Sequence, residues 1–142
     1  MPDGDCPFCR IAAGEEDADL VLDEPHALAF LDHRPLFPGH SLLITRPHRE
    51  TLLDLRADEI GPFFASAQLL ARAVTESMGA EGTFVALNNV VSQSVPHLHV
   101  HVVPRRRKDG LRGFFWPRTK YEGDEHAAET AASIREAVAR LS

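Results

Sequence analysis

Three histidines alternate with aliphatic residues late in the chain, in the run His97-Leu98-His99-Val100-His101. In a β-strand, alternate residues face the same side of the sheet, so this spacing predicts a row of imidazoles on one face and a core on the other. Imidazole gains and loses a proton near neutral pH, and it can act as a nucleophile or a metal ligand. An alternative is the polar face of an exposed strand, but Thr, Lys or Glu would serve there equally well. The row therefore favours a catalytic or binding site.

A single zinc ion held by all three histidines is geometrically unfavourable. On a straight strand the first and last of them are roughly 13 Å apart at their Cα atoms, which hardly allows them to converge on one ion. Separate roles fit better: one ring attacks, its neighbour donates to the reacting group, and the third orients them or belongs to another site. The polar segment before the row offers hydrogen-bond donors beside an oxyanion. Such donors next to a histidine nucleophile favour phosphoryl or nucleotidyl transfer.

The two cysteines of the chain form the motif Cys6-Pro7-Phe8-Cys9. In a reducing compartment such a pair is more typical of metal binding or redox chemistry than of a structural disulfide. No strand precedes the pair, which disfavours a thioredoxin-like motif, and two idle thiols at a helix start are the remaining alternative. Two thiolates do not complete a tetrahedral zinc site, so the other ligands would be histidines.

Periodicity and turn residues predict the elements that position these groups. We expect helices over 7–13, 58–78 and 125–141, and strands over 20–23, 27–31, 41–45, 83–87 and 97–103. Pro96 would open the last strand and Pro104 would close it. This inventory fits an α+β domain in which helices cover one face of an antiparallel sheet. A dinucleotide-binding fold is disfavoured, because the chain lacks regular βαβ alternation and a Gly-x-Gly-x-x-Gly motif.

The composition is that of an ordinary globular protein, with 142 residues, 44% hydrophobic and 25% charged. We expect one domain over 1–142. The formal net charge of −6 argues against a general nucleic-acid binder, although a local pocket can still hold a small anion. No apolar run is long enough to span a bilayer, and the first residues do not resemble a signal peptide, so no membrane association and a cytoplasmic location are expected.

The histidine row also matches the signature His-φ-His-φ-His-φ-φ, with φ apolar, and by it the chain resembles the histidine triad (HIT) family. Further matching segments lie at 6–11, 29–32, 38–44, 47–48 and 93–95. The first of these is typical of bacterial, zinc-containing members. The resemblance covers 6–105, and a basic and aromatic segment with a terminal helix follows over 106–142. It implies a HIT-like fold of about five antiparallel strands with one long helix, and a homodimer whose sheets join.

The resemblance also implies an activity at the α-phosphate of a purine nucleotide, such as an AMP derivative. The central His99 resembles the nucleophile that becomes covalently nucleotidylated, and water then hydrolyses the intermediate. His101 would hydrogen-bond the phosphate and help the leaving group depart, and His40 resembles a fourth histidine beside the triad. These roles imply a phosphoramidase-like hydrolase. A dinucleoside polyphosphate hydrolase is an alternative, and a non-catalytic, zinc-stabilised nucleotide-binding module is another.

Binding residues follow from the same resemblance. Asp32 resembles the carboxylate that accepts the ribose hydroxyls, although a turn residue at a strand end is an alternative. Asn88, Gln93 and Ser94 are expected at the phosphate with Asn89 nearby. The loop that carries them is shorter than is usual in the family and lacks glycine, which puts the contacts of the two asparagines in doubt. The apolar residues expected around the base are Ile11, Leu20 and Phe30.

Members with the N-terminal cysteine pair bind zinc through two cysteines and two histidines. The positions that correspond here are Cys6, Cys9, His48 and His97. Four protein ligands make a closed site, so the resemblance implies one structural Zn²⁺ per chain. Such an ion would anchor His97 and thereby the strand that presents His99.

Two remaining features carry less signal. The segment over 105–121 is basic and aromatic, and in the family this region often reaches the partner subunit's active site. A solvated basic run whose Phe and Trp pack into the dimer interface is the alternative. His26, His33 and His126 show no informative spacing and are expected at the surface.

Overall fold

The computed structural model describes residues 3–112 and 118–142, which form parts of two compact units, Met1–Asp109 and Gly110–Ser142. The first unit contains a five-stranded antiparallel sheet in the order β1-β2-β3-β5-β4. Its strands are β1 (Leu20–Asp23), β2 (Ala27–Leu31), β3 (Ser41–Thr45), β4 (Gly82–Ala86) and β5 (His99–Arg105). Its helices are α1 (Pro7–Ala12) and α2 (Ala57–Met78), and the second unit contains α3 (Asp124–Leu141). This architecture confirms the predicted α+β fold. No helix among the described residues is long and apolar enough to cross a membrane.

Helix α2 covers one face of the sheet with an apolar stripe at helical spacing. The stripe packs against alternate residues of β2, β3 and β5 and forms the main core, which contains Ala27, Ala29, Leu43, Phe63, Ala67, Leu70, Val74, Leu98, Val100 and Val102. Ile60 and Phe64 fall at similar helical spacing, but they are 44% and 37% exposed. The helix ends at Gly79, whose φ of 58° is the left-handed conformation that a C-terminal glycine adopts readily.

The opposite face of the sheet carries a second, smaller cluster under α1. It contains Cys6, Phe8, Leu28, Phe30, Leu42 and Ile44. Helix α1 therefore adds helical cover on the face opposite the one that α2 covers. The sheet residues of this cluster alternate with those of the main core, because successive residues of a strand face opposite sides.

The histidine strand begins two residues later than predicted and continues through Pro104. His97 and Leu98 precede the ladder: the His97 N–H donates to Val95 O at 2.8 Å and the Leu98 N–H donates to Arg49 O at 2.6 Å. Pro104 pairs with Thr83 of β4, in the part of β5 beyond its last pairing with β3. Since only one neighbour borders β5 there, the missing N–H of proline is tolerated. His97 thus departs from the straight row that alternation predicted.

Candidate active site and metal centre

His99 and His101 lie on the α1 face of the sheet, beside a cavity. In the register of β3 with β5, they are opposite Ile44 and Leu42, which belong to the smaller cluster. The cavity has a volume of about 500 Å³, and both histidines line it. Strand pairing thus places two adjacent imidazoles at the wall of a space large enough for a small ligand.

The backbone fixes the protonation state of His99. Its Nδ1 lies 2.8 Å from the carbonyl oxygen of His97, and since a carbonyl only accepts, Nδ1 carries the proton and donates it. The lone pair is then on Nε2. Burial lowers the pKa of His99, although the hydrogen bond to His97 and the charge of Asp32 act in the opposite direction. A neutral imidazole with an unprotonated Nε2 is a competent nucleophile.

A chain of hydrogen bonds fixes the opposite tautomer on His101. The Leu36 N–H donates to Nδ1 of His40 at 3.0 Å, so His40 carries its proton on Nε2. That proton points to Nδ1 of His101 at 3.0 Å, which leaves the proton of His101 on Nε2. Burial, with smaller contributions from His99 and His40, lowers the pKa of His101 to about 4. His101 is therefore a neutral N–H donor at neutral pH.

Asp32 lies both in a turn and at the cavity. Its Oδ1 accepts the backbone N–H of Arg34 at 2.9 Å, which is an Asx turn at the end of β2. Its Oδ2 lies 3.6 Å from Nε2 of His40, and the side chain lines the cavity. The carboxylate is thus oriented by a turn and still available to a ligand.

A second group of side chains has the composition of a zinc site. The possible ligand atoms of Cys6, Cys9, His48 and His97 all lie within 4.8 Å of one another. The Sγ of Cys6 is 3.3 Å from Nδ1 of His97, and the Sγ of Cys9 is 3.2 Å from Nδ1 of His48. In a tetrahedral zinc site, a sulfur and a nitrogen ligand are separated by about 3.5 Å. The four residues can therefore hold a metal ion.

The surroundings of His97 favour metal binding. Its Nε2 lies 2.7 Å from the carbonyl oxygen of Thr45, so Nε2–H donates there and the lone pair of Nδ1 points at the cysteine sulfurs. This is the orientation that ligating histidines adopt. Asp32, His40 and His101 also cluster within 4.8 Å. There, the Leu36 N–H occupies Nδ1 of His40 and leaves a proton on Nε2, so that group fits a hydrogen-bond chain better than a metal site.

Two of the residues expected at the phosphate donate to backbone carbonyls in this structure. Asn88 donates through Nδ2 to Ser92 O at 3.2 Å, and Gln93 donates through Nε2 to Glu50 O at 2.5 Å. Neither lines the cavity, whereas Ser94 does. The neighbouring Asn89 accepts the N–H of Leu52 through Oδ1. The short loop leaves Val90 and Ser92 at φ values of 70° and 64°, the left-handed region in which glycine is unstrained.

The apolar part of the cavity differs in part from expectation. Ile11 and Phe30 line it, but Leu20 does not and is 51% exposed. Phe8 lines it and packs edge-on against His99, with ring centroids 5.2 Å apart. The sequence signal for placing Phe8 at the cavity was its position inside the Cys-x-x-Cys motif. His33 is exposed, as expected, and it also lines the cavity.

Other expectations concern positions away from the cavity. His26 contacts helix α2, since its Nε2 lies 2.8 Å from Oγ of Ser66. His126 is exposed and accepts the N–H of Glu122 through Nδ1 at 3.0 Å. The aromatic part of the 105–121 segment, over 113–117, lies outside the described residues.

Comparisons with known proteins relate the chain to one family. The HIT domain matches residues 13–108. An uncharacterised HIT-like protein of Mycobacterium tuberculosis is 34% identical over 137 residues, which cover 95% of this chain and 94% of that protein. An adenosine 5′-monophosphoramidase of Schizosaccharomyces pombe is 30% identical over 79% of this chain and 83% of its own. An adenylylsulfatase of Arabidopsis thaliana is 30% identical over 75% of this chain and 55% of its own.

Solved structures share the fold. The crystal structure of a HIT family member from Bacillus subtilis superposes with a TM-score of 0.85, at 30% identity, over 93% of this chain and 96% of that one. A zinc-bound histidine triad protein of Mycobacterium smegmatis gives a TM-score of 0.73, at 31% identity, over 98% of this chain and 99% of that one.

Proposed function

Because the chain belongs to the HIT domain family, we propose that it hydrolyses a P–N or P–O bond at the α-phosphate of purine nucleotides, with His99 as the nucleophile. One observation carries the proposal: an unprotonated Nε2 on His99 lies beside an Nε2–H donor on His101 at one cavity. The relatives described as an adenosine 5′-monophosphoramidase and an adenylylsulfatase support this reaction class.

The reaction would proceed in two displacements. Nε2 of His99 attacks the α-phosphorus, the bond to the leaving group breaks, and that group departs with the electron pair and takes up a proton. His101 donates a hydrogen bond from Nε2 to a phosphate oxygen or to the leaving atom. Water then attacks the phosphorus and releases the nucleoside monophosphate, neutral His99 and the proton. His40 holds His101 in the donating tautomer throughout.

The cavity offers a place for each part of the nucleotide. Asp32 can accept hydrogen bonds from both hydroxyls of the ribose, and Ser94 can donate to the phosphate. Phe8, Ile11 and Phe30 supply an apolar surface for the base. Asn88 and Gln93 would contact the phosphate only if the hydrogen bonds that brace their loop were exchanged for bonds to the ligand.

We assign the second cluster to a structural Zn²⁺, held by Cys6, Cys9, His48 and His97. Four protein ligands close the coordination sphere, so the ion would support the fold rather than the reaction. His97 connects the two sites, because its ring is a ligand and its carbonyl orients His99. The proposal also includes a homodimer with joined sheets.

The test is a substrate panel with adenosine phosphoramidates, dinucleoside polyphosphates and adenylylsulfate. We expect the highest kcat/KM on a phosphoramidate, and a loss of about 10³-fold or more in kcat for His99→Gln with AMP affinity retained. His126→Gln on α3 is the control and should match the wild type. A wild type that binds AMP but cleaves no member of the panel would indicate the non-catalytic binding module instead. Preference for a dinucleoside polyphosphate would favour the alternative hydrolase.

A further inference from the structure

The cavity has an acidic outer end, formed by the connection between α1 and β1. Glu16, Asp17 and Asp19 all line it, together with the small Ala18. The backbone ties this connection to the sheet, since the Leu31 N–H donates to Asp19 O at 3.0 Å. The acidic side chains are therefore held at the cavity by the strand that also carries Phe30.

Strand order places this acidic end far from the histidines. His101 pairs with Leu42, Leu42 with Phe30, and Phe30 with Leu20, which directly follows Asp19. Three inter-strand steps amount to roughly 14 Å. The carboxylates would repel an anionic phosphate, so a nucleotide orients with its phosphate at the histidine end and its base at the acidic end.

Two of the carboxylates have no positive partner. Glu16 pairs with Arg10, whose Nε lies 3.3 Å from Oε2, whereas no cation among the described residues pairs with Asp17 or Asp19. An ionised carboxylate is only an acceptor, so both side chains can receive N–H groups of a ligand.

A separate observation identifies the cavity as a ligand site. His99 is only 5% exposed and lines the cavity, and its Nε2 has no hydrogen-bond partner within the described part of the chain. A largely buried side chain that presents a polar atom without a protein partner to a cavity indicates a group that binds there.

We propose that Asp17 and Asp19 make the site select guanine over adenine nucleotides. This inference rests on the proposed function. Guanine presents N1–H and N2–H₂ side by side, and the two oxygens of a carboxylate can accept both. Adenine presents one donor at N6 beside the lone pair of N1, which a carboxylate repels. A bidentate contact of this kind discriminates between bases by about tenfold when water can still reach the contact. This value is at the low end of the range for such contacts, because water competes for the hydrogen bonds.

The experiment compares kcat/KM for guanosine, inosine and adenosine 5′-phosphoramidates. We expect the order guanosine, inosine, adenosine, because inosine keeps N1–H but lacks the N2 amine, with about tenfold between first and last. The double variant Asp17→Asn/Asp19→Asn should bring the guanosine-to-adenosine ratio to about one. Glu15→Gln is the matched control, since Glu15 is an exposed neighbour that does not line the cavity, and it should keep the wild-type ratio.

Two results would overturn the inference: a wild type that prefers adenosine or does not discriminate, or a double variant with an unchanged ratio. Failure of the proposed function is distinguishable, because then no phosphoramidate is cleaved at all. In that case calorimetric Kd values for GMP and AMP decide the inference. Tighter binding of GMP that the double variant abolishes would support it, and equal affinities would refute it.

Discussion

Backbone groups around the histidines decide which ring nitrogen of each carries the proton. The carbonyl oxygen of Thr45 accepts a hydrogen bond from Nε2–H of His97, and the carbonyl oxygen of His97 accepts one from Nδ1–H of His99. The Leu36 N–H instead donates to His40. Three carbonyl or amide groups thus set tautomers that suit the separate tasks proposed for the histidines: ligation, attack and relay. Spacing alone could not predict this division, since it depends on loops distant in sequence.

These tautomers and the burial of His101 predict a specific NMR spectrum. At pH 7, long-range ¹H–¹⁵N correlations should show the proton of His99 on Nδ1 and that of His101 on Nε2. Titration should give a pKa of about 4 for His101, because burial disfavours its charged form. A His101 that titrates near 6.5, or that is protonated on Nδ1, would contradict the hydrogen-bond chain.

The same pKa predicts how stability depends on pH. In the unfolded chain His101 has a pKa near 6.5, so below that pH the unfolded state binds more protons. The free energy of unfolding should therefore fall as the pH is lowered from 6.5 to about 4. Below about pH 4 this group should cause no further decrease. His101→Asn should show a shallower fall in denaturant titrations than the wild type, and His126→Asn should follow the wild type. Equal slopes for all three proteins would refute the assignment.

The positions of elements with a strong apolar periodicity could be predicted from the sequence. The bounds that depend on backbone pairing were less predictable. Helix α2 and strands β2 and β3 lie where the apolar pattern predicts them. The pattern also placed Val100 and Val102 in the core, but it could not locate the start of β5. Side-chain alternation reports which face a residue occupies, whereas the strand begins where hydrogen bonding to β3 begins.

The same limit applies to the site. A row of histidines and a cysteine pair pointed to residues that the structure brings together in the two clusters, since few residue types perform that chemistry. The polar loop over 88–94 gave a less specific signal, because Asn and Gln bond backbone groups as readily as ligands. The acidic connection over 16–19 gave no signal, as an irregular charged loop has no periodicity to interpret.

Helix α1 and the segment before β5 meet at the proposed metal site, which predicts different effects for neighbouring histidines. His97→Gln should lose the metal and about 3 kcal/mol of unfolding free energy, since His97 is fully buried and is one of the four proposed ligands. His99→Gln, the matched change two residues on, should keep one zinc per chain and lose activity. Metal content by plasma emission and urea unfolding measure both.

A chelator removes the metal without changing a side chain, so it separates the effect of metal loss from that of a substitution. It should lower the Tm of the wild type and of His99→Gln, because ligand removal destabilises any protein that binds the ligand when folded. It should leave the Cys6→Ser/Cys9→Ser variant unchanged. If the wild type is metal-free and fully stable, or if both histidine variants lose only activity, the division of the histidines is wrong.

At the scale of the first unit, the sheet has two unequal edges. Strand β1 is four residues long, contains a register irregularity between Leu20 and Leu22, and ends in Asp23. Such features protect an edge from pairing. Strand β4 has five residues, none charged, in regular pairing with β5. It is therefore the edge at which a second copy can extend the sheet, and Phe64 on α2, 37% exposed, adds apolar surface to this unit.

Dimerisation through β4 predicts an asymmetric response to charge at the two edges. Val85 on β4 and Val21 on β1 are almost equally exposed, at 47% and 48%. Val85→Lys should convert the dimer into a monomer in multi-angle light scattering, because two copies would bring like charges together across the joined edge. Val21→Lys is the matched control and should stay dimeric, with both variants keeping the far-ultraviolet circular dichroism of the wild type. A monomeric wild type would refute the joined sheet, and monomers formed only by Val21→Lys would place the interface at β1.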